Sequence, residues 1–434
     1  MAPMLTLILA AAAALLPWIH DDYAAALARA RAENKPIVVD LWAPWCHTCL
    51  AMQQTVLADP ALADVAGRFI WLALDTDRPQ NFAAVDVLRP GAWPTFYVID
   101  PKDESVLARQ VGSCSPAEWR AFLEAGQSAG AGAVEIRAAD GLAAAGRAEE
   151  AVARYATALA ALPAGDARRA PALVSWIGTL WKLERFRDCA DLGLARLAET
   201  GANLSASAAD FTWYAHECAV QTQDEALAAR MRTAALAPDA PLRRILADPR
   251  QLSVDDHADA LRILRELTEA GGDVAGARKI AESQMDLLLK ARAAAADATG
   301  RMALGWPLAE VAGYLGRGAE LVPLLQANTA ELPTEYDPPY RLAGVLLKLG
   351  RHDEALAAAR QAEAHVYGPR KARVLALIAG IHEARGDRPA QKAAWQAVVD
   401  WQNTLPESQR SAGLEKQARA ALEALAQPAT PPAP

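Results

Sequence analysis

Ile37-Val38-Val39-Asp40-Leu41-Trp42-Ala43-Pro44-Trp45-Cys46-His47-Thr48-Cys49 decides how the rest of the chain is read. The branched run Ile37 to Trp42 fits a buried strand, because stiff β-branched side chains suit a packed, pleated surface. Pro44 to Cys49 interrupts it, and Leu50 to Leu57 continues as a helix. The two cysteines therefore stand at a strand-to-helix turn. There the first sulfur faces the unpaired N–H groups and partial positive charge of a helix N-terminus, which favour the attacking thiolate. Cys49 lies one turn on and can reach that sulfur to close a short disulfide. His47, when protonated, would stabilise the Cys46 thiolate further. Two other readings stand beside this one. A structural zinc site takes about four ligands, typically two such pairs, whereas this chain has a single CxxC and Cys114 belongs to no second pair. An inert pair would leave two cysteines beside Trp42 and Trp45 with no packing reason for them.

Working outward, Asp21 to Asn34 has helical spacing and is stopped by Pro36. Phe69 to Leu74 and Thr95 to Ile99 are two further strands, the second entered through Trp93-Pro94. Asp100-Pro101-Lys102-Asp103 makes a turn, and Val106 to Val111 is the hairpin partner. Ser115-Pro116-Ala117-Glu118 opens a last helix with a cap and a first-turn proline. The predicted order, α-β-α-β-α-β-β-α within about 110 residues, is a small α/β domain with a mixed sheet.

Residues 20–125 resemble the thioredoxin superfamily, nearest its envelope members of the thiol:disulfide-interchange kind. Val38 to Cys46 matches that family's strand and active-site turn almost position for position, and Gly91-Ala92-Trp93-Pro94-Thr95 matches its second landmark. The resemblance implies a cis-proline at Pro94 facing the CxxC, so that Trp93 offers backbone groups to an extended substrate peptide. It makes Cys46 the attacking thiolate and Cys49 the resolving thiol. Asp40 becomes the buried acid that helps move the second cysteine's proton. Trp45, His47, Thr48, Trp93, Pro94 and Thr95 become substrate-binding positions. No metal or cofactor is expected. On the residues alone, Asp40 also reads as a strand-end aspartate with solvent access. Two departures stand out. The family's buried lysine aligns with Ala73, so desolvation without that partner would raise the proton affinity of a buried Asp40. His47-Thr48 replaces the Gly-Pro of thioredoxin itself, which is expected to move the redox potential.

From Gly126 to Gly132 the chain reads GQSAGAG, a linker composition, and no strand is predicted beyond it. Instead a phrase recurs. Ala145-Gly146-Arg147-Ala148-Glu149-Glu150-Ala151 returns as Leu349-Gly350-Arg351-His352-Asp353-Glu354-Ala355, with weaker copies at Leu183, Leu315 and Gly386. Gly316 to Gly350 is 34 residues and Ala355 to Ala390 is 35, the period of a helical solenoid. The segment resembles tetratricopeptide-type repeats, most clearly at 336–405 and at 139–162, where Gly146, Ala151, Tyr155, Ala158 and Pro163 sit in the family's pattern. Residues 200–310 depart from it in spacing, Gly272 to Gly316 being 44, and read as degenerate. The fold expected is thus an α/β thioredoxin-like domain followed by an all-α, TPR-like solenoid. Its divisions are an apolar N-terminal segment or signal peptide at 1–17, the small domain at 18–126 and a linker at 127–134. The repeats follow at 135–425, and a disordered tail at 426–434.

Composition narrows the function. The 434 residues are 53% hydrophobic and 22% charged, with net charge −8, which argues against a protein built to hold nucleic acid. Five cysteines are too few for a disulfide scaffold at this length. Met1 to Leu16 has the length of a signal-peptide apolar region, though without Lys or Arg before it; the alternative is an uncleaved N-terminal helix. Export to the periplasm or cell envelope follows from the first reading. Cys189 and Cys218 stand 29 apart; in an oxidising compartment they could bridge neighbouring helices, and otherwise they fill the core. Cys114 reads as a packed thiol. His216-Glu217 and His382-Glu383 lack the second histidine of a zincin. Trp176, Trp181, Trp213, Trp395 and Trp401 read mainly as repeat core, with some lining a binding face. The expected function is a dithiol–disulfide oxidoreductase acting on protein cysteines, served by an envelope redox partner, with the repeats recruiting a protein substrate or partner. The competing function is a non-catalytic scaffold in which the solenoid binds and the small domain is a recognition module.

Overall fold

The computed structural model describes residues 16–126 and 130–427. Its first part runs β1 (Trp18–His20), α1 (Tyr23–Glu33), β2 (Ile37–Trp42), α2 (His47–Gln54), β3 (Ile70–Asp75), α3 (Phe82–Leu88), β4 (Thr95–Ile99), β5 (Val106–Val111) and α4 (Pro116–Ala125). The strands lie side by side in the order β1-β3-β2-β4-β5. β1 and β2 run parallel to β3, while β4 is antiparallel to β2 and to β5. β2 is central and buried on both faces, so its sequence is a continuous apolar run broken only by Asp40. Val38 packs with Trp71, Phe96 and Trp119 on one face, and Ile37, Val39 and Leu41 pack with Leu72 and Tyr97 on the other. The three-residue β1 escaped prediction because it is too short to show a period. The helix expected to reach Leu57 ends at Gln54, and a 3₁₀ turn covers Val56–Ala58.

The second part is helical hairpins. The pairs are α5 (Ala131–Ala144) with α6 (Ala148–Ala161), α7 (Arg169–Lys182) with α8 (Phe186–Arg196), and α9 (Ala206–Gln221) with α10 (Glu225–Leu236). After a short α11 (Pro241–Ala247) come α12 (Val254–Ala270) and α13 (Val274–Ala294). After a short α14 (Ala298–Ala303) come α15 (Gly305–Leu315) with α16 (Val322–Glu331), α17 (Asp337–Lys348) with α18 (His352–His365), and α19 (Arg370–Ala384) with α20 (Arg388–Thr404). α21 (Ala412–Ala426) closes the stack.

The recurring phrase is the hairpin turn itself. Gly146, Gly272, Gly316, Gly350 and Gly386 all have left-handed φ, and Glu184 and Gln223 take the same conformation in the remaining two turns. The N–H that follows reaches back to close the helix, as in Arg147 to Leu142 O (2.8 Å), Arg317 to Ala312 O (2.8 Å) and Arg351 to Leu346 O (3.0 Å). The stretch that read as degenerate, 200–310, is made of hairpins as well. Its long spacing comes from the inserted α11 and α14. Cys189 on α8 and Cys218 on α9 form a disulfide with Cα atoms 5.8 Å apart, which decides between the two readings of that pair.

Of the expected divisions, residues 1–15 of the apolar segment and 428–434 of the tail lie outside the described residues. So do 127–129 of the linker, and α5 begins within the remainder of that linker at Ala131. Leu16 is buried in the small domain's core. Among the described residues no helix is long and apolar enough to cross a membrane.

The first helices of successive hairpins turn toward the small domain. Lys182 of α7 donates to Pro90 O (3.4 Å), Ser205, at the N-terminus of α9, donates to Glu118 (2.6 Å), and Asp256 of α12 accepts from Ser113. Beyond them, Arg341 of α17 donates to Trp45 O (3.3 Å) and Tyr367, ahead of α19, to Asp75. The solenoid thus wraps the domain that precedes it.

Candidate functional site: a buried disulfide held between the two parts

Cys46 caps α2, and the Cys49 backbone N–H donates to its sulfur at 3.0 Å. The two sulfurs are bonded, with Cα atoms 5.2 Å apart. That N–H would stabilise a thiolate on Cys46 once the bond is reduced. Exposure differs from what a freely presented active site would show. Cys46 is 4% exposed and Cys49 1%.

The cover comes from the repeats. Asp255, on the first turn of α12, takes both residues between the cysteines: its carboxylate lies 2.6 Å from His47 Nδ1 and accepts from Thr48 Oγ1 at 2.9 Å. The imidazole stacks on Trp306 of α15, ring centres 4.6 Å apart and planes 9° from parallel. Burial disfavours a charged His47, but the adjoining Asp255 carboxylate outweighs it, and the net shift of the pKa is upward. Leu50, one turn along α2, packs on Met302 and Ala303 of the inserted α14. Trp45 donates to Asp77 (2.9 Å), lies 5.3 Å from Trp93, and carries the Arg370 guanidinium over its ring at 4.6 Å. Neither Asp255 nor Trp306 stood out in the sequence. Asp255 lies 208 residues from its partner, in a capping sequence that reads as an ordinary helix start. The only sequence signal was the broken repeat spacing, which marks the insert α14 that reaches α2.

Asp40 is buried at 2% exposure, so the solvent-open reading does not hold. Gln53 Nε2, a turn beyond Cys49 on α2, is 3.5 Å from Oδ2, and Oδ1 has no hydrogen-bond partner. With Ala73 in the register position beside it, no cation offsets the desolvation, and the pKa rises to about 7.

The Trp93–Pro94 peptide bond is cis. Trp93 is the half-exposed member of this group, its indole donating to Thr76 at 2.9 Å. Thr95 is fully buried. Its hydroxyl accepts from Gly91 N (3.1 Å) and donates to Ala92 O (2.6 Å), so it ties the loop down and its side chain is not available to a substrate. A cavity of about 200 Å³ opens beside Trp93 and Thr48, walled by Trp213 and Tyr214 of α9 and by Asp255 and Asp259 of α12. Cys114 is a free, buried thiol whose pKa burial pushes well up, which suits a packed residue. Among the described residues no three His, Cys, Asp or Glu converge to hold a metal ion.

The family-model comparison agrees with the architecture of the small domain. The family model described as "Thioredoxin-like" matches residues 18–101, which form a thioredoxin-like domain. A thiol:disulfide interchange protein, DsbD, of Pseudoalteromonas atlantica is 33% identical over 93 residues, 21% of this chain and 16% of that protein. A thioredoxin H-type of Chlamydomonas reinhardtii is 38% identical over 74 residues, 17% of this chain and 62% of that protein. The chain thus spans less than two thirds of either relative. The crystal structure of a tetratricopeptide repeat protein from Parabacteroides merdae matches 68% of this chain and 99% of its own, at 12% identity and a TM-score of 0.44.

Proposed function

We propose that this thioredoxin-like chain with its wrapped helical repeats is a thiol–disulfide oxidoreductase of the cell envelope that acts on cysteines of protein substrates. The observation that carries the reading is the Cys46–Cys49 pair at the N-terminus of α2, with a backbone N–H on the first sulfur. In the reducing direction the Cys46 thiolate attacks one sulfur of a substrate disulfide. A Cys46–substrate bond forms, and the other substrate sulfur leaves as a thiolate. Cys49 gives its proton to Asp40 and attacks Cys46 Sγ, which restores the internal disulfide and frees the second substrate sulfur. A dithiol redox partner in the envelope then re-reduces the pair, and the reverse sequence would donate the disulfide. Reduction or isomerisation is favoured over net oxidation by family analogy. Substrate backbone would lie along Trp93 and Pro94, entering by the cavity beside Thr48, where the repeats choose the partner. Trp45, His47 and Thr48 would meet it only after Asp255 and Arg370 give way.

Insulin reduction driven by dithiothreitol tests this. The parent chain should exceed Cys46→Ser clearly, and Cys49→Ser should accumulate mixed disulfides through Cys46. The burial of Cys46 is the one observation that favours a non-catalytic recognition module in a repeat scaffold. Equal rates for parent and Cys46→Ser would establish that alternative.

A further inference from the structure

Ala73 puts only a methyl group at the register position beside Asp40, and there is space against it. A cavity of about 250 Å³ lies against this face of the sheet, lined by Trp18, His20, Asp40, Trp42, Gln53 and Ala73 among others. Asp40 and His20 are the titratable side chains in its wall. Two polar atoms there, Asp40 Oδ1 and Trp42 Nε1, are buried with no hydrogen-bond partner. Strand register explains how His20 comes to share the cavity. His20 pairs with Ala73 across β1 and β3, and Ala73 pairs with Asp40 across β3 and β2. All three side chains therefore stand on one face, His20 and Asp40 about 10 Å apart with only the Ala73 methyl between. His20 is exposed at the far end, and Asp40 is sealed at the near end.

We infer that this cavity is the proton exit of the redox site, in which water links Asp40 to His20 and His20 hands the proton to solvent. The inference rests on the oxidoreductase reading. When Cys49 becomes the attacking thiolate its proton must leave, and Gln53, on the same face of α2 one turn on, ties that face to Asp40. A buried carboxyl that takes the proton can act again only if it passes it on. A water needs two to four polar partners and about 30 Å³ of volume, and the cavity meets both conditions. Asp40, with its pKa near 7, exchanges readily around neutrality, and an imidazole, with one nitrogen that accepts and one that donates, can pass the proton through. The balance is one proton moved from Cys49 to Asp40, to water, to His20, to solvent, with no electron moved along this path.

The test uses the full chain, reduced and mixed with an aromatic disulfide that releases one coloured thiolate when Cys46 attacks and a second when Cys49 resolves. With His20→Gln the first release keeps the parent rate. The second slows about tenfold in dilute buffer, loses the parent's pH profile, and recovers on addition of imidazole, which fits the cavity. Ala73→Leu, which fills the cavity, slows the second release without imidazole recovery, and His20→Asn repeats the first result should the glutamine variant fold poorly. A second release in both His20 variants that matches the parent at every pH, or one that slows and ignores imidazole, overturns the relay. Loss of the first release in Cys46→Ser but not in His20→Gln shows the underlying redox reading intact whichever way the relay falls.

Discussion

Asp40 shows how much one missing neighbour changes a residue. Its strand is apolar on both faces, Ala73 brings no cation, and burial alone raises its pKa to about 7. The sign of the stability effect follows. The unfolded carboxyl ionises near pH 4, whereas the folded one holds its proton to about 7. Its contribution is therefore complete below about pH 4, declines as pH rises through that window, and is gone above about 7. Asp40→Asn should leave stability unchanged in acid and raise it by up to a few kcal/mol in mild alkali, as read by urea unfolding at both ends. A constant difference across pH would show that the carboxyl is not buried as described. Residues at this scale were legible where chemistry fixes spacing. Cys46 and Cys49 show themselves by separation and Pro94 by its flanks. Asp255 and Trp306 were not legible, because a contact across 208 residues leaves no local pattern.

At the scale of elements, strands β2 to β5 and the hairpin phrase could be read because period and turn chemistry are local properties. β1 and the inserts α11 and α14 could not, since short segments carry no period and are held by what they touch. The turns give direct tests. At Gly316 and Gly350, φ is +72° and +73° and an added Cβ would meet nothing within 4 Å, so Gly→Ala there changes backbone strain alone. Each should cost about 1 kcal/mol by chemical denaturation. Glu184, which holds the same conformation without being glycine (φ 55°), should do the reverse, and Glu184→Gly should stabilise by about 0.5–1 kcal/mol. Gly368 differs in kind. At φ +56° an added Cβ would fall 1.9 Å from Asp77 O, so Gly368→Ala must push the α18–α19 loop off the small domain. Its cost should exceed that of the hairpin glycines, and the shortfall should appear as earlier proteolysis of that loop. Equal costs at 316, 350 and 368 would mean the loop does not press on Asp77.

The whole molecule is a solenoid closed on its own N-terminal domain, which changes the part the repeats play. The sequence pointed to repeats that recruit a protein substrate or partner. In the structure, residues on several first helices also pack on the small domain, and the CxxC helix is packed by α12, α14 and α15. The same wrapping buries acids. Besides Asp40, which the small domain buries by itself, burial lifts Asp77 and Asp140 to about 7 and Asp256 to about 6. All four contribute stability that is lost as pH rises toward and through these values. Thermal unfolding should therefore occur at higher temperature near pH 6 than near pH 8, and a flat or rising trend toward alkali would contradict the burial described. The most direct measurement is the ionisation of Cys46 in the reduced full chain, followed by ultraviolet thiolate absorbance against Cys46→Ser. The helix-capped sulfur should ionise well below the ordinary thiol value of about 8.5. A titration indistinguishable from free cysteine would contradict the account.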